Sequence, residues 1–361
     1  MKRHLLPLLV LALFTMNAPQ ANLLKITIAP SAPASLAIAL AGLDLATLTA
    51  EVENDINSDL PDADASSYLK GMANASVYAN KGLGTDYASG MDLFVVGLGV
   101  GVGLDVGKNS FSDLIGGDVD AEQFRGFGLA GGVIVGGNLG IMPFEKFLGL
   151  KMDRVNLYLH FFTLDENFDE LTFDFKSIGA HLQYQIINEA NIIPLKILRW
   201  DGVRVTLGYE YTKLSAVLTQ TYTDEAYTGS YGGINYSAAP TGTFQIGADV
   251  ATHSIPIEIS TGLQWAYICT TYLGLGVDMN FGSAKAIANG SAGGTITIAG
   301  DSDSTITGAL DLGQEGDPSS MTTRAFVGQQ FNLSIAKIGV HLNKGIGNDL
   351  YGVNLSLKIL W

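Results

Sequence analysis

The sequence predicts an all-β protein, a transmembrane antiparallel up-and-down β-barrel of about ten strands (10–12) with a short helical N-terminal segment. Three observations predict it. Hydrophobic residues make up 47% of the 361 residues and charged ones only 15%, with a mean hydropathy of +0.25; a soluble domain carries about 25% charged residues. Beyond residue 20, however, no run of about 18 apolar residues could cross a bilayer as a helix. From residue 91 onward the apolar residues fall on alternate positions, the period of a strand with one face against lipid. The 44 glycines show no three-residue period, which excludes collagen, and the apolar content excludes bulk disorder.

The chain opens with Lys2 and Arg3, an apolar run from Leu5 to Phe14, and small residues from Asn17 to Ala21. This is the layout of a secretory signal peptide over residues 1–21. Residues 22–90 read as a helical segment. Leu45, Leu48, Val52 and Ile56 are spaced 3, 4 and 4, a helical stripe that Pro61 ends, among Glu51, Glu53, Asp55 and Asp59. A second helix is expected over Ser66–Asn80. Such a segment plugs a barrel, lies in the periplasm or leads into the first strand, and the sequence does not choose among these.

Residues 91–361 carry the barrel pattern. In Leu93–Val106, Phe94, Val96, Leu98, Val100, Val102, Leu104 and Val106 alternate with Gly97, Gly99, Gly101, Gly103 and Asp105. A helix would lose about 1 kcal/mol at each such glycine. Nine further runs follow, around 127–141, 155–161, 178–186, 203–211, 255–267, 273–281, 324–333, 337–344 and 350–361. Connections at 107–123, 165–170, 221–242, 285–322 and 345–349 form a longer, polar set, and those at 142–152, 188–201, 268–269 and 334–336 a shorter one. Long outer loops, short periplasmic turns, an even strand number and both termini in the periplasm are expected on that pattern. Thr295–Ala299 and Thr305–Leu312 add a hairpin or belong to an extended loop.

Acids outnumber bases 35 to 20, for a net charge of −15 and a pI near 4.6, so no basic stripe exists to displace phosphate counterions and no nucleic-acid partner is expected. The single Cys269 cannot form an intramolecular disulfide. Gly126–Gly131 matches G-x-G-x-x-G, but further strand pattern follows where a dinucleotide site needs a helix. His160, His181, His253 and His341 form no compact ligand spacing, and no nucleophile elbow or catalytic cysteine context appears. No catalytic residue, metal or cofactor is expected, and the protein is not expected to be an enzyme.

The candidate site is the inner face of the barrel, with Asp105, His160, His181, Arg204, Glu210, Glu258, Asp278 and Lys358 directed at the lumen. These either select solutes by charge or pair across the lumen and close it. Ten strands lie near the narrow end of barrel sizes, while rows of glycine free space. The acidic runs Asp165–Glu170 and Asp301–Asp303 are expected in outer loops, as divalent-cation bridges to lipopolysaccharide or as solvated charge.

The layout as a whole resembles uncharacterised Gram-negative outer-membrane barrel families. The resemblance rests on the signal peptide, the glycine-alternating first strand and the terminal Gly352–Trp361. A weaker echo is Ile192–Gly202 followed by Leu207–Lys213, an interfacial turn leading into an aromatic strand. An aromatic Trp361 closing an amphipathic strand looks like the C-terminal signal read by the barrel-assembly machinery. The resemblance implies an outer-membrane location, with outer-membrane lipid and lipopolysaccharide as neighbours, and leaves the oligomeric state open. Two functions are expected from the inner face and the loops. One is a passive channel or transporter for small solutes or hydrophobic molecules; the alternative is a surface-exposed structural or adhesion barrel with a closed lumen.

Overall fold

The structure, a computed structural model, describes residues 29–31, 65–88, 94–107, 124–143, 145–168, 170–193, 197–223, 227–231, 234–266, 268–298, 304–311, 314–333 and 335–360. The expected signal peptide, the stripe at 45–56, the run 301–303 and Trp361 lie outside these residues. Ten strands close into one ring: β1 (Val95–Asp105), β2 (Gly126–Asn138), β3 (Val155–Phe168), β4 (Leu171–Ile187), β5 (Leu198–Thr223), β6 (Ile234–Trp265), β7 (Cys269–Ile298), β8 (Met321–Leu333), β9 (Ala336–Gly345) and β10 (Leu350–Leu360). Each pairs antiparallel with its sequence neighbour. Ring closure comes from β10 on β1, with Leu350 opposite Asp105 and Leu360 opposite Val95. No edge strand is left in the membrane, where an unpaired backbone would cost several kcal/mol per group. The fold class and the ten strands read from the period-2 pattern are therefore those of the molecule.

The end of the barrel that carries Val95 and Leu360 is called the base, and the opposite end, with Asp105 and Gly126, the mouth. Eleven residues of β1 rise about 37 Å along the strand and, at a tilt near 40°, cover about 28 Å of membrane normal. That matches an apolar band of about 25 Å. Leu98, Val100 and Leu355 are half or more exposed on the outside, as lipid-facing side chains are. Their strand neighbours Gly99, Gly101 and Asn354 point inward and are buried.

Strands β5, β6 and β7 continue far past that band, over 26, 32 and 30 residues. Most of 221–242 and of the first part of 285–322 is therefore strand, which corrects the expectation of loops there. Ser304–Asp311 forms a hairpin with Asn289–Ile296 of β7. The run 165–170 is likewise the top of β3 and a tight turn into β4, Asp165 standing opposite Asp174. At the other end of β2, Leu139–Ile141 forms a 3-10 turn instead of strand because the Asn138 side chain accepts a hydrogen bond from the Gly140 amide.

The polarity of the two faces reverses where these strands leave the membrane. Along β5 the outward residues change from Val205, Leu207 and Tyr209 to Lys213 and Ser215. The inward ones change from Arg204, Glu210 and Thr212 to Leu214 and Ala216. Along β6 the inward Glu258 and Ser254 give way to Val250 and Ala248, and along β7 Asp278 and Asn280 give way to Ala284 and Ala286. In lipid the outside must be apolar; in water the inside must be.

Helix α1 (Ala65–Ala79) lies inside the ring, packed on β1, β2, β10, β7 and β6, one residue from the expected Ser66–Asn80. The glycine rows explain how it fits. A Cβ at Gly101 or Gly103 would overlap the carbonyl oxygens of Ala79 or Ala75, and at Gly126 or Gly128 the backbone of Met72 or Ser76. A helix about 10 Å across needs those flat wall positions to enter a ten-stranded barrel. The stretch 80–88 continues from the helix to the base.

The short strand Ala29–Ser31 pairs with Thr305–Thr307, beyond the mouth. The C-terminal strand β10 ends at the base, and residues 1–28 lie outside the described residues.

Candidate functional site

The lumen is arranged in three layers around the segment 65–88. At the mouth, Leu69, Met72 and Ala73 of α1 pack against Phe175, Leu214, Ala248, Val250 and Ala284. This is a small apolar core of the kind that closes a soluble sheet, and it seals the barrel above the polar layers.

The middle layer is a buried ionic cluster. After α1 ends, Lys81 projects into the barrel and is fully buried. Its Nζ lies 2.6 Å from Glu210 Oε2, 3.3 Å from Asp278 Oδ1 and 2.5 Å from Ser254 Oγ. Arg324, also fully buried, donates from Nε to Asp278 at 3.0 Å, from Nη1 to Asn343 at 2.7 Å and from Nη2 to Glu258. Tyr87 donates to the other Glu258 oxygen at 2.7 Å. His181 Nε2 lies 3.1 Å from Glu210 Oε1 and its ring stacks on His160 at 5.8 Å. Two cations and three carboxylates out of water each cost several kcal/mol unless paired and hydrogen-bonded, and here each one is.

The third layer lies towards the base. Lys337 reaches Asp86 Oδ2 at 2.9 Å, Lys358 donates to the Thr85 carbonyl at 2.8 Å and Arg204 to the Tyr87 carbonyl at 2.9 Å. Tyr87 sits among Tyr272, Phe326 and His341 with ring centroids 5.0–5.1 Å away.

All eight residues expected at the lumen are buried there, Asp105 at the mouth, Arg204 and Lys358 towards the base and the others between. Arg204, Glu210, Glu258, Asp278 and Lys358 bond to the 80–88 segment, and His160 and His181 face its Gly84. Asp105 instead accepts a hydrogen bond from the Gly107 amide at 3.2 Å. His253 differs from the other three histidines, lying outside against Phe281 at 5.0 Å and Tyr209. The sequence reading missed Lys81, Asp86, Arg324 and Lys337. Arg324 is in phase with the inward residues Phe326, Gly328 and Gln330, and that phase was the available signal. Lys81 and Asp86 lie in a short irregular stretch where no period announces direction. The G-x-G-x-x-G stretch Gly126–Gly131 is part of β2, with no helix after it.

Residues 33–361 match the sequence model of the Lsa36-like family. The chain belongs to the Lsa36-like family. No curated protein matches it in sequence. Solved structures with some likeness to this family member include Ail, the attachment invasion locus protein of Yersinia pestis, at 8% identity and a TM-score of 0.20, over 74% of this chain and 96% of that one. LpxR from Salmonella typhimurium has 9% identity and a TM-score of 0.25, over 73% and 100%. A FadL homologue of Pseudomonas aeruginosa has 6% identity and a TM-score of 0.23, over 81% and 98%. Likenesses this distant carry no inference about activity.

Proposed function

We propose that this Lsa36-like chain is an outer-membrane barrel with a closed lumen that works at the cell surface, presenting the β5–β7 extension and its hairpins to a binding partner. The observation that carries this reading is the occupied lumen. The segment 65–88 fills the space cleared by the glycine rows, its Lys81 and Asp86 are paired with wall residues, and an apolar core lies over it at the mouth. A solute-selecting eyelet needs charges that face water and let ions leave, whereas these face one another. Supporting it further, the strands invest their length beyond the membrane. A sheet with a polar outside and apolar inside is a rigid platform, and binding sites favour such supports.

The deciding experiment puts the full-length protein, without its signal peptide, into planar bilayers and into liposomes for solute-swelling assays. No stepwise conductance and no swelling are expected. Steady conductance from the unaltered protein would overturn the closed-lumen reading in favour of a passive channel. Removing residues 224–233 at the β5–β6 hairpin should then weaken surface binding while leaving permeability at its background level.

A further inference from the structure

We infer that the chain enters the barrel from the mouth, so that Ala29–Ser31 and the first turn of α1 stand on the outer side of the cell and the barrel holds its own segment 65–88 threaded through the lumen from that side. The direction follows from the level of each contact. Gly71 and Met72 sit against Arg125 and Gly126 at the mouth, Ala75 against Gly103, Ala79 against Gly101 and Leu83 against Gly99. Thr85 and Asp86 then meet Lys358 and Lys337 near the base. The lumenal segment therefore runs antiparallel to β1 and reaches the base just before β1 starts there.

A second, independent contact lies further out. Ala29–Ser31 pairs with Thr305–Thr307, which themselves pair with Gly293–Thr295 of β7. Those β7 positions lie well past Met279, where β8 begins to pair. Both described pieces of chain that precede the lumen are thus on the mouth side. Among the described residues the lumen has one occupant, the segment 65–88, and its middle layer is filled by paired ions. A signal peptide would deliver the N-terminus to the periplasm first, so assembly must carry the segment through or with the barrel.

This inference rests on the reading that the mouth faces outward, and the test separates the two. In a Cys269→Ser background, single cysteines are placed at Lys70→Cys, exposed on the first turns of α1, at Ile346→Cys in the β9–β10 turn of the mouth, and at Glu189→Cys in the β4–β5 turn of the base. Cells are treated with a 5-kDa polyethylene-glycol maleimide, which does not cross the outer membrane, before and after permeabilisation. Only the heat-modifiable folded band is scored. Lys70→Cys is expected to be labelled on intact cells as fully as Ile346→Cys, with Glu189→Cys labelled at least tenfold more after permeabilisation. Labelling of Lys70→Cys that follows Glu189→Cys overturns the threading. If Ile346→Cys is protected and Glu189→Cys is open on intact cells, the outward mouth is wrong, and threading is still judged by which of the two Lys70→Cys follows. Ser66→Cys, exposed in the first turn of α1, replaces Lys70→Cys if that variant does not assemble, with the same two outcomes.

Discussion

Arg324 on β8 and Asp278 on β7 meet at 3.0 Å in the fully buried centre of the barrel, and Lys81 of the lumenal segment reaches the same carboxylate at 3.3 Å. One wall carboxylate thus joins two cations, one from the wall and one from the occupant. Truncating a single partner of such a cluster strands the others without water. Arg324→Ala is expected to cost about 3–5 kcal/mol, read as a lowered urea midpoint in refolding titrations in lipid. A change below about 1 kcal/mol would mean that the cluster is hydrated and the lumen open.

The flat wall opposite α1 gives a second prediction. At Gly103 any side chain would meet the Ala75 carbonyl and the Ala79 amide, backbone atoms that cannot rotate away. Gly103→Val should displace α1 while leaving the outer face of β1 unaltered. Channel openings in planar bilayers, absent from the unaltered protein, are the expected readout. A Gly103→Val barrel that assembles and stays electrically silent would argue against the packing of α1 described above.

Acid should loosen the base before the mouth. Asp86 is buried with its carboxylate 2.9 Å from Lys337 Nζ, so protonating it strands a buried cation. A carboxylate paired in the folded state adds stability above the unfolded pKa of about 3.9, and that stability is lost on acidification. Between about pH 5 and pH 2 the unfolding midpoint should drop, and Asp86→Asn should lower it at pH 7 while flattening its dependence over that window. Parallel pH curves for the two proteins would exclude a part for the Asp86–Lys337 pair.

The reversal of face polarity along β5 predicts position-dependent costs on one side of one strand. Leu207→Arg places a charge in the apolar band and should cost about 2–4 kcal/mol if near the midplane. Val217→Arg, ten residues up the same outward face, should change stability by less than about 1 kcal/mol. Equal costs at the two positions would place the membrane boundary higher than the sequence reversal indicates.

How far the sequence could be read followed from the kind of signal each feature leaves. Ten strands were legible because lipid imposes period 2 on every one of them, and the runs at Leu93–Val106 and Leu350–Leu360 needed no partner to be recognised. The eight lumen candidates came from the same phase. The strand extensions escaped because the search followed apolar residues on the outside. Beyond Thr212 and Thr252 the apolar residues move to the inside, and the period continues with its faces exchanged. Arg324 escaped because its run was read for length and not for phase.

What the sequence by itself determined is the barrel. Alternation sets the strands, their number and which side of each meets lipid, because the membrane acts on every residue locally and alike. The contents of the barrel were decided only in three dimensions. Gly101 and Gly103 show that space is made, but Ala75 and Ala79 fill it from a helix whose pattern alone fits a plug, a periplasmic arm or a leader equally well. Lys81 joins Glu210 and Asp278 across 129 and 197 residues of chain, and no periodicity records such a contact. The filling of the lumen by segment 65–88 is a property of that packing, where charges leave water only because their partners arrive from distant strands.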